Sequence, residues 1–214
     1  MQAEQQKRFL MPLSDYNRIY QVAHGVLKDV RNAEKSCIFF AIFGAYVLSK
    51  QFRIPAQAVA GAFALCVGGP HDRVLYGDNE RGVFGGSEDG FHMWVQTDTH
   101  IIDFMAPIYR EAVADTNPTF EIPRKMFQRP LASEVGDFEA VSAPGAFRAY
   151  ANPDITTKII DDFFARDEST DLIKVAEAWY GTRRGKQKPN CAMKSDRGEV
   201  FDLRLPATVA LGSW

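Results

Sequence analysis

Three side chains of this sequence have the types and the order along the chain that nucleophilic catalysis needs. Cys37 follows Ser36, where a polar stretch gives way to the apolar run 37–48. This pattern predicts a thiol at the N-terminus of a buried helix, where unpaired backbone N–H groups and the helix dipole favour thiolate over thiol. His92 and Asp103 follow on two segments that we predict to be paired strands. A nucleophile, a base and a group that orients the base therefore occur in one chain.

The position of Asp103 relative to His92 depends on the turn between the two strands. On the first strand, His92 and Trp94 share one face, because side chains alternate along a strand. A two-residue or four-residue loop pairs Trp94 with Asp103 and makes Asp103 the diagonal neighbour of His92, whereas a three-residue loop puts it on the opposite face. The first two turns give the imidazole–carboxylate contact that orients a general base.

Acyl chemistry also needs hydrogen-bond donors for the oxyanion that forms on the substrate carbonyl. If the cysteine helix packs on this sheet with its N-terminus level with His92, the Cys37 backbone N–H can serve as one donor. The side chain of Asn32 or Ser36 is the candidate for another, and each donor in such a site is worth roughly 3 kcal/mol. We expect Trp94 to form a wall of the substrate cleft.

Each of these residues also has a structural interpretation. A lone cysteine in an apolar segment is most often a small buried hydrophobe, and we assign that role to Cys66 and Cys191. For Cys37, the helix start, the polar partner strand and the order along the chain together favour catalysis.

The elements that must position these side chains follow from the hydrophobic pattern. Segment 13–30 has apolar residues at steps of three and four, which predicts an amphipathic helix with Ser14 as its N-cap. Segment 37–50 is apolar nearly all round, so this helix should be enclosed at the centre of the domain. Segment 56–67 alternates large with small side chains, which predicts a strand whose small face lets the preceding helix approach closely.

The remaining segments give weaker signals. Residues 68–90 are rich in glycine and acids, which predicts a surface loop that is either a functional cover or disordered, with one short strand at 73–76. Beyond residue 107, repeated prolines predict irregular structure. Helices are expected near 154–165 and 170–180, and a last strand at 199–205.

Composition limits the classes of protein and of partner. The chain has 214 residues, 46% of them hydrophobic, and a net charge of -2. One substantial core is expected, and the mixed charges favour neither nucleic acid nor an anionic membrane surface as a partner. No apolar signal core or run long enough to span a bilayer occurs, and the three cysteines lie far apart. A cytoplasmic protein in a reducing compartment is therefore expected.

Two segments resemble the signature segments of the transglutaminase-like cysteine enzymes, which have a papain-like fold. Residues 36–61 contain the cysteine, an apolar run and an Ile-Pro-Ala strand that ends at Gly61. Residues 92–107 contain a His-x-Trp-Val strand, an aspartate strand and a proline. The chain is also similar to arylamine N-acetyltransferases, which use a similar triad, and to small uncharacterised bacterial proteins of this type.

The resemblance implies an α+β fold in which a helix with the cysteine at its N-terminus packs on an antiparallel sheet, with extra C-terminal helices. Cys37 would be the nucleophile, His92 the base and Asp103 the orienting group. From length and composition we expect a single domain, 1–214, with a core at about 13–107 and a C-terminal elaboration at 108–214 that lies outside the resemblance. Two departures are Lys35, where many relatives have a glycine-containing turn, and the long insertion 68–90.

We therefore expect a cysteine-dependent hydrolase or acyltransferase that cleaves an amide or ester bond of a small-molecule or peptide substrate through a thioester. The alternative is a non-catalytic binding protein that keeps the fold, with its cleft filled by the inserted loop. A metal site built from His71, Asp72, His92 and Asp103 is the weakest hypothesis, because no ligand pair has helical spacing. No cofactor or metal is expected.

Overall fold

The computed structural model describes residues 8–28, 32–33, 36–80, 83–116 and 118–214. The helices are α1 (Leu13–Leu27), α2 (Cys37–Val47), α3 (Tyr109–Ala112), α4 (Pro153–Phe164) and α5 (Asp167–Tyr180), and a π-helical turn, Leu48–Phe52, continues α2. The strands are β1 (Gln57–Cys66), β2 (Arg73–Tyr76), β3 (Asp78–Glu80), β4 (Val83–Gly85), β5 (His92–Gln96), β6 (His100–Asp103), β7 (Phe127–Pro130), β8 (Phe147–Ala151), β9 (Asn190–Lys194) and β10 (Val200–Arg204). Short 3₁₀ turns occupy Ala106–Ile108, Ala114–Thr116 and Leu131–Ser133. The fold is mixed α/β, with helices packed on a curled antiparallel sheet.

The main sheet is built around β1, which has neighbours along both edges. The strand order is β2-β1-β5-β6-β7, and β8 also pairs with β1. Gly61 lies opposite His92 of β5 on one edge and Ala151 of β8 on the other. Phe63 likewise lies between Tyr76 of β2 and Ala149 of β8. The strands β5 and β2 therefore follow one another along the same edge of β1.

This arrangement makes β2 and β5 two parts of one interrupted strand along the same side of β1. β2 ends at Tyr76 opposite Phe63, and β5 begins at His92 opposite Gly61. The described residues between them, 77–80 and 83–91, lie outside the main sheet, and β3 and β4 pair with each other within this excursion. Tyr76 and His92 thus stand next to each other on the same edge, although they are far apart in sequence.

Helix α2 packs against β1 and β5, as the small side chains of β1 predict. A Cβ atom on Gly44 would collide with the ring of Phe104 and lie 3.1 Å from Val95, so a glycine is required for this close approach. Nearly all of α2 is buried, including Phe40 and Phe43. The prediction of an enclosed helix over 37–50 is confirmed in its position, with its last turn widened to a π-helix.

Helix α1 differs from the prediction at its start. Its N-cap is Pro12, whose carbonyl accepts a hydrogen bond from Tyr16 N at 3.1 Å, and no side chain caps it. The expected Ser14 cap is therefore wrong, because the helix already begins at Leu13. The predicted end of this helix, at residue 30, lies outside the described residues.

The C-terminal half contributes directly to the main sheet. β7 pairs with β6, and β8 pairs with β1. The expectation of irregular structure after residue 107 is wrong for these two strands, and the predicted core at 13–107 lacks both of them. The helices expected near 154–165 and 170–180 and the strand expected at 199–205 are confirmed as α4, α5 and β10.

Two further sequence expectations can be set against the described residues. The segment 68–90 contains the expected strand at 73–76 and also the β3–β4 hairpin, so its described part is ordered. Across the described ranges, no helix combines the length and the apolar character that crossing a membrane requires.

We expect Gly61→Ala to destabilise the fold by about 3 kcal/mol, because the added methyl group would overlap the Tyr150 carbonyl oxygen of β8, and backbone atoms cannot easily give way. Urea unfolding should show a lower midpoint with an unchanged slope. The matched control is Gly136→Ala, whose Cβ would meet nothing within 4 Å. Equal midpoints for the two variants would contradict this account of the β1–β8 contact.

Candidate active site

The β5–β6 hairpin brings the predicted histidine and aspartate together. Val95 pairs with Ile102 and Gln96 with Ile101, and Thr97 N donates to His100 O at 2.9 Å, so the turn has one of the two lengths that place Asp103 diagonally next to His92. His92 Nε2 and Asp103 Oδ2 are 2.5 Å apart. The carboxylate therefore holds the imidazole by one nitrogen and leaves the other, Nδ1, directed away from it.

Asp103 is itself fixed by donors on both carboxylate oxygens. The side chain is 2% exposed. The Tyr109 hydroxyl donates to Oδ2, the oxygen that also contacts His92, and Met105 N donates to Oδ1 at 2.8 Å. The hydroxyl of Tyr16 donates to the backbone carbonyl of Asp103. A buried carboxylate needs such donors, and they fix the direction in which Asp103 presents its charge to His92.

Aromatic rings hold the imidazole in place. His92 is 1% exposed. Its ring stacks on Tyr76 with centroids 4.3 Å apart and an interplanar angle of 15°, while Phe63 lies at 5.5 Å and Tyr109 at 6.0 Å. Since Tyr76 comes from β2 and Tyr109 from α3, elements on both sides of the hairpin restrain the ring.

The electrostatic environment keeps His92 protonated well above its ordinary range. Burial alone would lower the pKa of His92, but the charge of Asp103 and its hydrogen bond outweigh burial and raise the pKa to about 10. Cys37 adds a smaller contribution in the same direction. The site therefore stabilises an imidazolium, which is the partner that a thiolate needs.

Cys37 begins α2 and lies beside this imidazole. Within the described chain, His92 Nδ1 is buried and has no hydrogen bond of ordinary geometry, although Cys37 lies close enough to shift the pKa of His92. The thiol and Nδ1 are therefore neighbours without an aligned hydrogen bond, which is common in unliganded catalytic sites. Cys37 is only half-buried, so the thiol is the part of the trio that solvent reaches.

The predicted oxyanion donors are placed less favourably. Ser36 does not cap α2 with its side chain; its hydroxyl donates to the Asn32 carbonyl at 2.5 Å. Asn32 is exposed. The Ser36 carbonyl accepts hydrogen bonds from Phe39 N and Phe40 N, at 3.0 and 3.3 Å. Because the Ser36 hydroxyl is already used as a donor, the side chains expected to complete an oxyanion hole are not directed to that task here.

Trp94 lies in the core and not on an open surface. Its side chain is 1% exposed, packs 6.1 Å from the ring of Phe63, and donates from Nε1 to Gln96 Oε1 at 3.3 Å. That Trp94 forms a wall of the substrate cleft stays a prediction. The side chain supports the strand that carries His92.

The other chemical groups singled out in the sequence lie elsewhere. Asp72 accepts a hydrogen bond from Gly69 N at 2.6 Å in the turn before β2, and the adjacent His71 is exposed. No group of three or more histidine, cysteine, aspartate or glutamate side chains in the described ranges could hold a metal ion. Cys66 is buried, and Cys191 is half-buried on β9.

Sequence reasoning missed the tyrosines that surround the pair. Tyr16, Tyr76 and Tyr109 come from three different elements, and none of them lies within a signature segment. The available signal was weak: Tyr109 follows the predicted aspartate strand closely, and Tyr76 ends the predicted short strand at 73–76. Their convergence on Asp103 and His92 depends on the pairing of distant strands.

A small cavity lies beside the N-terminal turn of α2. Its volume is about 150 Å³, and its wall combines apolar side chains with Asp162 and Arg166. The apolar part is formed by Leu27, Ile38, Phe39, Ile159, Phe163 and Leu172. Ser36 and Ile38, the two neighbours of Cys37 in the chain, both line it.

Comparison with known proteins gives a family and a fold relative. A family model described as "Protein of unknown function (DUF2026)" matches residues 12–214. A solved structure titled "The crystal structure of genomics APC5867" has a similar fold, with a TM-score of 0.83 and 26% sequence identity, covering 97% of this chain and 98% of that one. The search of curated proteins found no match.

The raised pKa of His92 predicts how stability depends on pH. Between the ordinary histidine value of about 6.5 and the folded value of about 10, the folded state holds one proton more than the unfolded state. This stabilisation is complete below about pH 6.5 and is lost as the pH rises through about 10. A Cys37→Ser protein removes thiol titration and, with it, the smaller Cys37 contribution to the raised pKa of His92, while the larger Asp103 contribution remains. In this protein we expect the free energy of unfolding to fall as the pH rises above about 6.5, by at most about 1.4 kcal/mol per pH unit.

The control adds Asp103→Asn to the Cys37→Ser protein. Without the carboxylate charge, burial should lower the pKa of His92, and the slope over the same pH range should be much shallower. Other ionisable groups contribute equally to both proteins, so the difference isolates His92. Urea unfolding at several pH values measures it, and identical slopes would show that Asp103 does not keep His92 protonated.

Proposed function

We propose that this chain, which belongs to the DUF2026 family, is a cysteine-dependent hydrolase or acyltransferase that acts on an amide or ester bond through Cys37, His92 and Asp103. The observation that carries the proposal is the position of His92. Its Nε2 is 2.5 Å from the Asp103 carboxylate, while its Nδ1 is buried, unbonded and beside the half-exposed Cys37 thiol. Nucleophile, base and orienting group thus stand in the order that activates a thiol.

The arrangement of elements supports the same proposal. A cysteine at the first residue of a buried helix, with histidine and aspartate on neighbouring antiparallel strands, is what the resemblance to transglutaminase-like enzymes of papain-like fold implies. Helix α2 packs against β5, and Cys37 at the start of the helix lies close enough to His92 at the start of the strand to raise the pKa of the imidazole. We extend the proposal to the papain-like assignment on this basis.

The first half of the reaction follows from these contacts. The Cys37 thiolate, paired with the His92 imidazolium, attacks the carbonyl carbon, and an S–C bond forms while the carbonyl electron pair moves to oxygen. When the tetrahedral intermediate collapses, the C–N or C–O bond breaks and His92 gives its proton to the leaving amine or alcohol. Asp103 keeps the imidazole oriented and stabilises its positive charge throughout.

The second half returns the enzyme to its starting state. The acyl group is held on Cys37 as a thioester. Water or an amine then attacks the thioester carbonyl, His92 accepts the proton of the attacking group, and the Cys37 thiolate leaves. Attack by water gives hydrolysis, and attack by an amine gives acyl transfer; both use the same three residues.

The substrate class is a small-molecule or peptide acyl compound. The cavity beside Ser36 and Ile38 has about the volume of one benzene-sized group, at 150 Å³. Its polar members are Ser36, Asp162 and Arg166, and Cys37 does not line it. We therefore propose that it holds an apolar substituent of the substrate and not the bond that is cleaved. The proposal needs no cofactor, nucleic acid or membrane, and a cytoplasmic location suits a free catalytic thiol.

One observation favours the alternative of a binding protein that keeps this arrangement without turnover. His92 is 1% exposed, and Tyr76 from β2 stacks directly on its ring. If the excursion 77–91 closes the site permanently, no substrate reaches the thiol. The reactivity of Cys37 separates the two functions.

We expect iodoacetamide to alkylate Cys37 roughly 100-fold faster than Cys191 at about pH 6, because an unactivated thiol with a pKa of about 8.5 is less than about 1% thiolate there. Cys191 is the matched internal control, since it is also half-buried. His92→Gln should reduce the Cys37 rate at least about tenfold at this pH, because the imidazolium no longer stabilises the thiolate. Mass spectrometry of the labelled peptides measures each rate separately.

The control variant is His71→Gln, which replaces an exposed histidine in the turn before β2 and should leave the Cys37 rate unchanged. Slow labelling of all three cysteines that does not respond to His92→Gln would rule out the enzyme and leave the binding protein. Fast labelling that depends on His92 justifies a screen of esters, thioesters and amides, with and without an added amine acceptor.

A further inference from the structure

A second buried polar group in the candidate site has no partner. Of the side chains in the described ranges, the Tyr76 hydroxyl is buried without a hydrogen bond, as is His92 Nδ1. Buried polar atoms in folded proteins almost always have a partner, either protein or water. Cys37 lies beside Nδ1, so the Tyr76 hydroxyl is the atom of this site whose partner is still to be identified. That partner must be small and must accept a hydrogen bond from a phenol.

The sheet places Tyr76 close to the reacting groups. Tyr76 ends β2 opposite Phe63, and His92 begins β5 opposite Gly61, so the two residues are neighbours on the same edge of β1. Their rings stack at 4.3 Å, and the ring of Tyr109 lies 5.6 Å from that of Tyr76. The hydroxyl groups of the two tyrosines differ in their hydrogen bonds: that of Tyr109 donates to Asp103, whereas that of Tyr76 has no hydrogen bond.

Burial and the surrounding charges keep the Tyr76 hydroxyl protonated. Burial raises the pKa of Tyr76 well above its ordinary value, and the negative charges of Asp103 and Cys37 raise it further. The hydroxyl therefore lies within the electrostatic reach of the thiol and keeps its proton at every pH at which the thiol would react. It remains a hydrogen-bond donor throughout.

We propose that the Tyr76 hydroxyl is a catalytic donor to the oxyanion that forms when Cys37 attacks a carbonyl group. This inference rests on the proposed function and adds a residue to it. It replaces the donors expected from the sequence, because the Ser36 hydroxyl donates to Asn32 and the Asn32 side chain is exposed. The backbone N–H of Cys37, at the uncapped start of α2, would be the second donor.

The step is balanced without any further group. Sulfur attacks the carbonyl carbon, an S–C bond forms, and the π electrons move to oxygen. The Tyr76 O–H donates a hydrogen bond to this oxygen and keeps its proton. When the carbonyl re-forms, the bond to the leaving group breaks, and a leaving amine or alcohol takes a proton from His92. An aryl oxide such as p-nitrophenolate leaves as an anion and takes no proton.

Two reagents separate an oxyanion donor from a residue that only supports His92. p-Nitrophenyl acetate transfers its acetyl group to sulfur through a tetrahedral oxyanion. Iodoacetamide is attacked at its methylene carbon, where iodide leaves and no charge develops on the carbonyl oxygen. Tyr76→Phe keeps the ring on His92 and removes only the hydroxyl. We expect the rate of Cys37 acetylation to fall roughly 100-fold while alkylation by iodoacetamide at the same pH stays unchanged.

Tyr180→Phe is the matched control, because Tyr180 is the other tyrosine in the described ranges whose buried hydroxyl has no partner, and it lies at the end of α5. This variant should leave both reactions of Cys37 unchanged. Neither substitution should lower the urea midpoint, since each removes a polar atom that gained no hydrogen bond on folding. Mass spectrometry of the Cys37 peptide excludes acetylation at other sites.

Each remaining outcome overturns the inference in a recognisable way. If both rates fall together in Tyr76→Phe, the tyrosine positions the thiol and imidazole and does not bind the oxyanion. If acetylation is unchanged, the hydroxyl has no part in the step, although the proposed function stands. If wild-type Cys37 is neither rapidly alkylated nor acetylated, the proposed function fails, and the oxyanion role of Tyr76 fails with it.

Discussion

The contact between His92 Nε2 and the Asp103 carboxylate is the interaction that organises this structure. Two ionisable groups buried to this degree are tolerated only when they are paired with each other and supplied with further hydrogen bonds. Tyr109 and Met105 N donate these bonds to the carboxylate, and Tyr16 donates to the backbone carbonyl of Asp103. Helices α1 and α3 as well as the β5–β6 hairpin therefore all contact one residue, Asp103. Loss of His92 would leave the Asp103 charge without its ionic partner in the core, and loss of Tyr109 would remove one of the two hydrogen-bond donors to its carboxylate.

The same pairing decides what α2 can do. The protonated imidazole presents positive charge at the start of the helix that carries Cys37, and the helix dipole adds to it in the same place. The close packing of α2 on the sheet, which depends on Gly44 against Phe104, keeps the thiol at that point. Packing and electrostatics therefore act on one atom, the Cys37 sulfur.

Local patterns in the sequence were sufficient for the parts of the site that lie within one element or one hairpin. The apolar run located α2 and its first residue, and the alternation along β1 and β5 located His92 and the face that it shares with Asp103. The tyrosines could not be predicted in this way, because Tyr76 reaches His92 only through the shared edge of β1, and Tyr109 reaches Asp103 only after a turn.

β7 and β8 were missed for a similar reason: their partners are β6 and β1, and neither strand has a strong pattern of its own. The Ser14 cap was wrong because a proline one residue before the helix already set its start.

The strand beside β1 is interrupted between Tyr76 and His92. This interruption separates the position of the stacked rings from the length and composition of the segment that joins them. Both ends of the excursion are tied to β1 by ladder pairs, Tyr76 to Phe63 and His92 to Gly61, so the stacked rings do not depend on what residues 77–91 do. Relatives could lengthen, shorten or recompose this excursion without moving the imidazole, since long surface insertions cost little once their ends are fixed. The stacked pair of Tyr76 and His92 would then stay constant among relatives, while the surface beside it changes in length and composition.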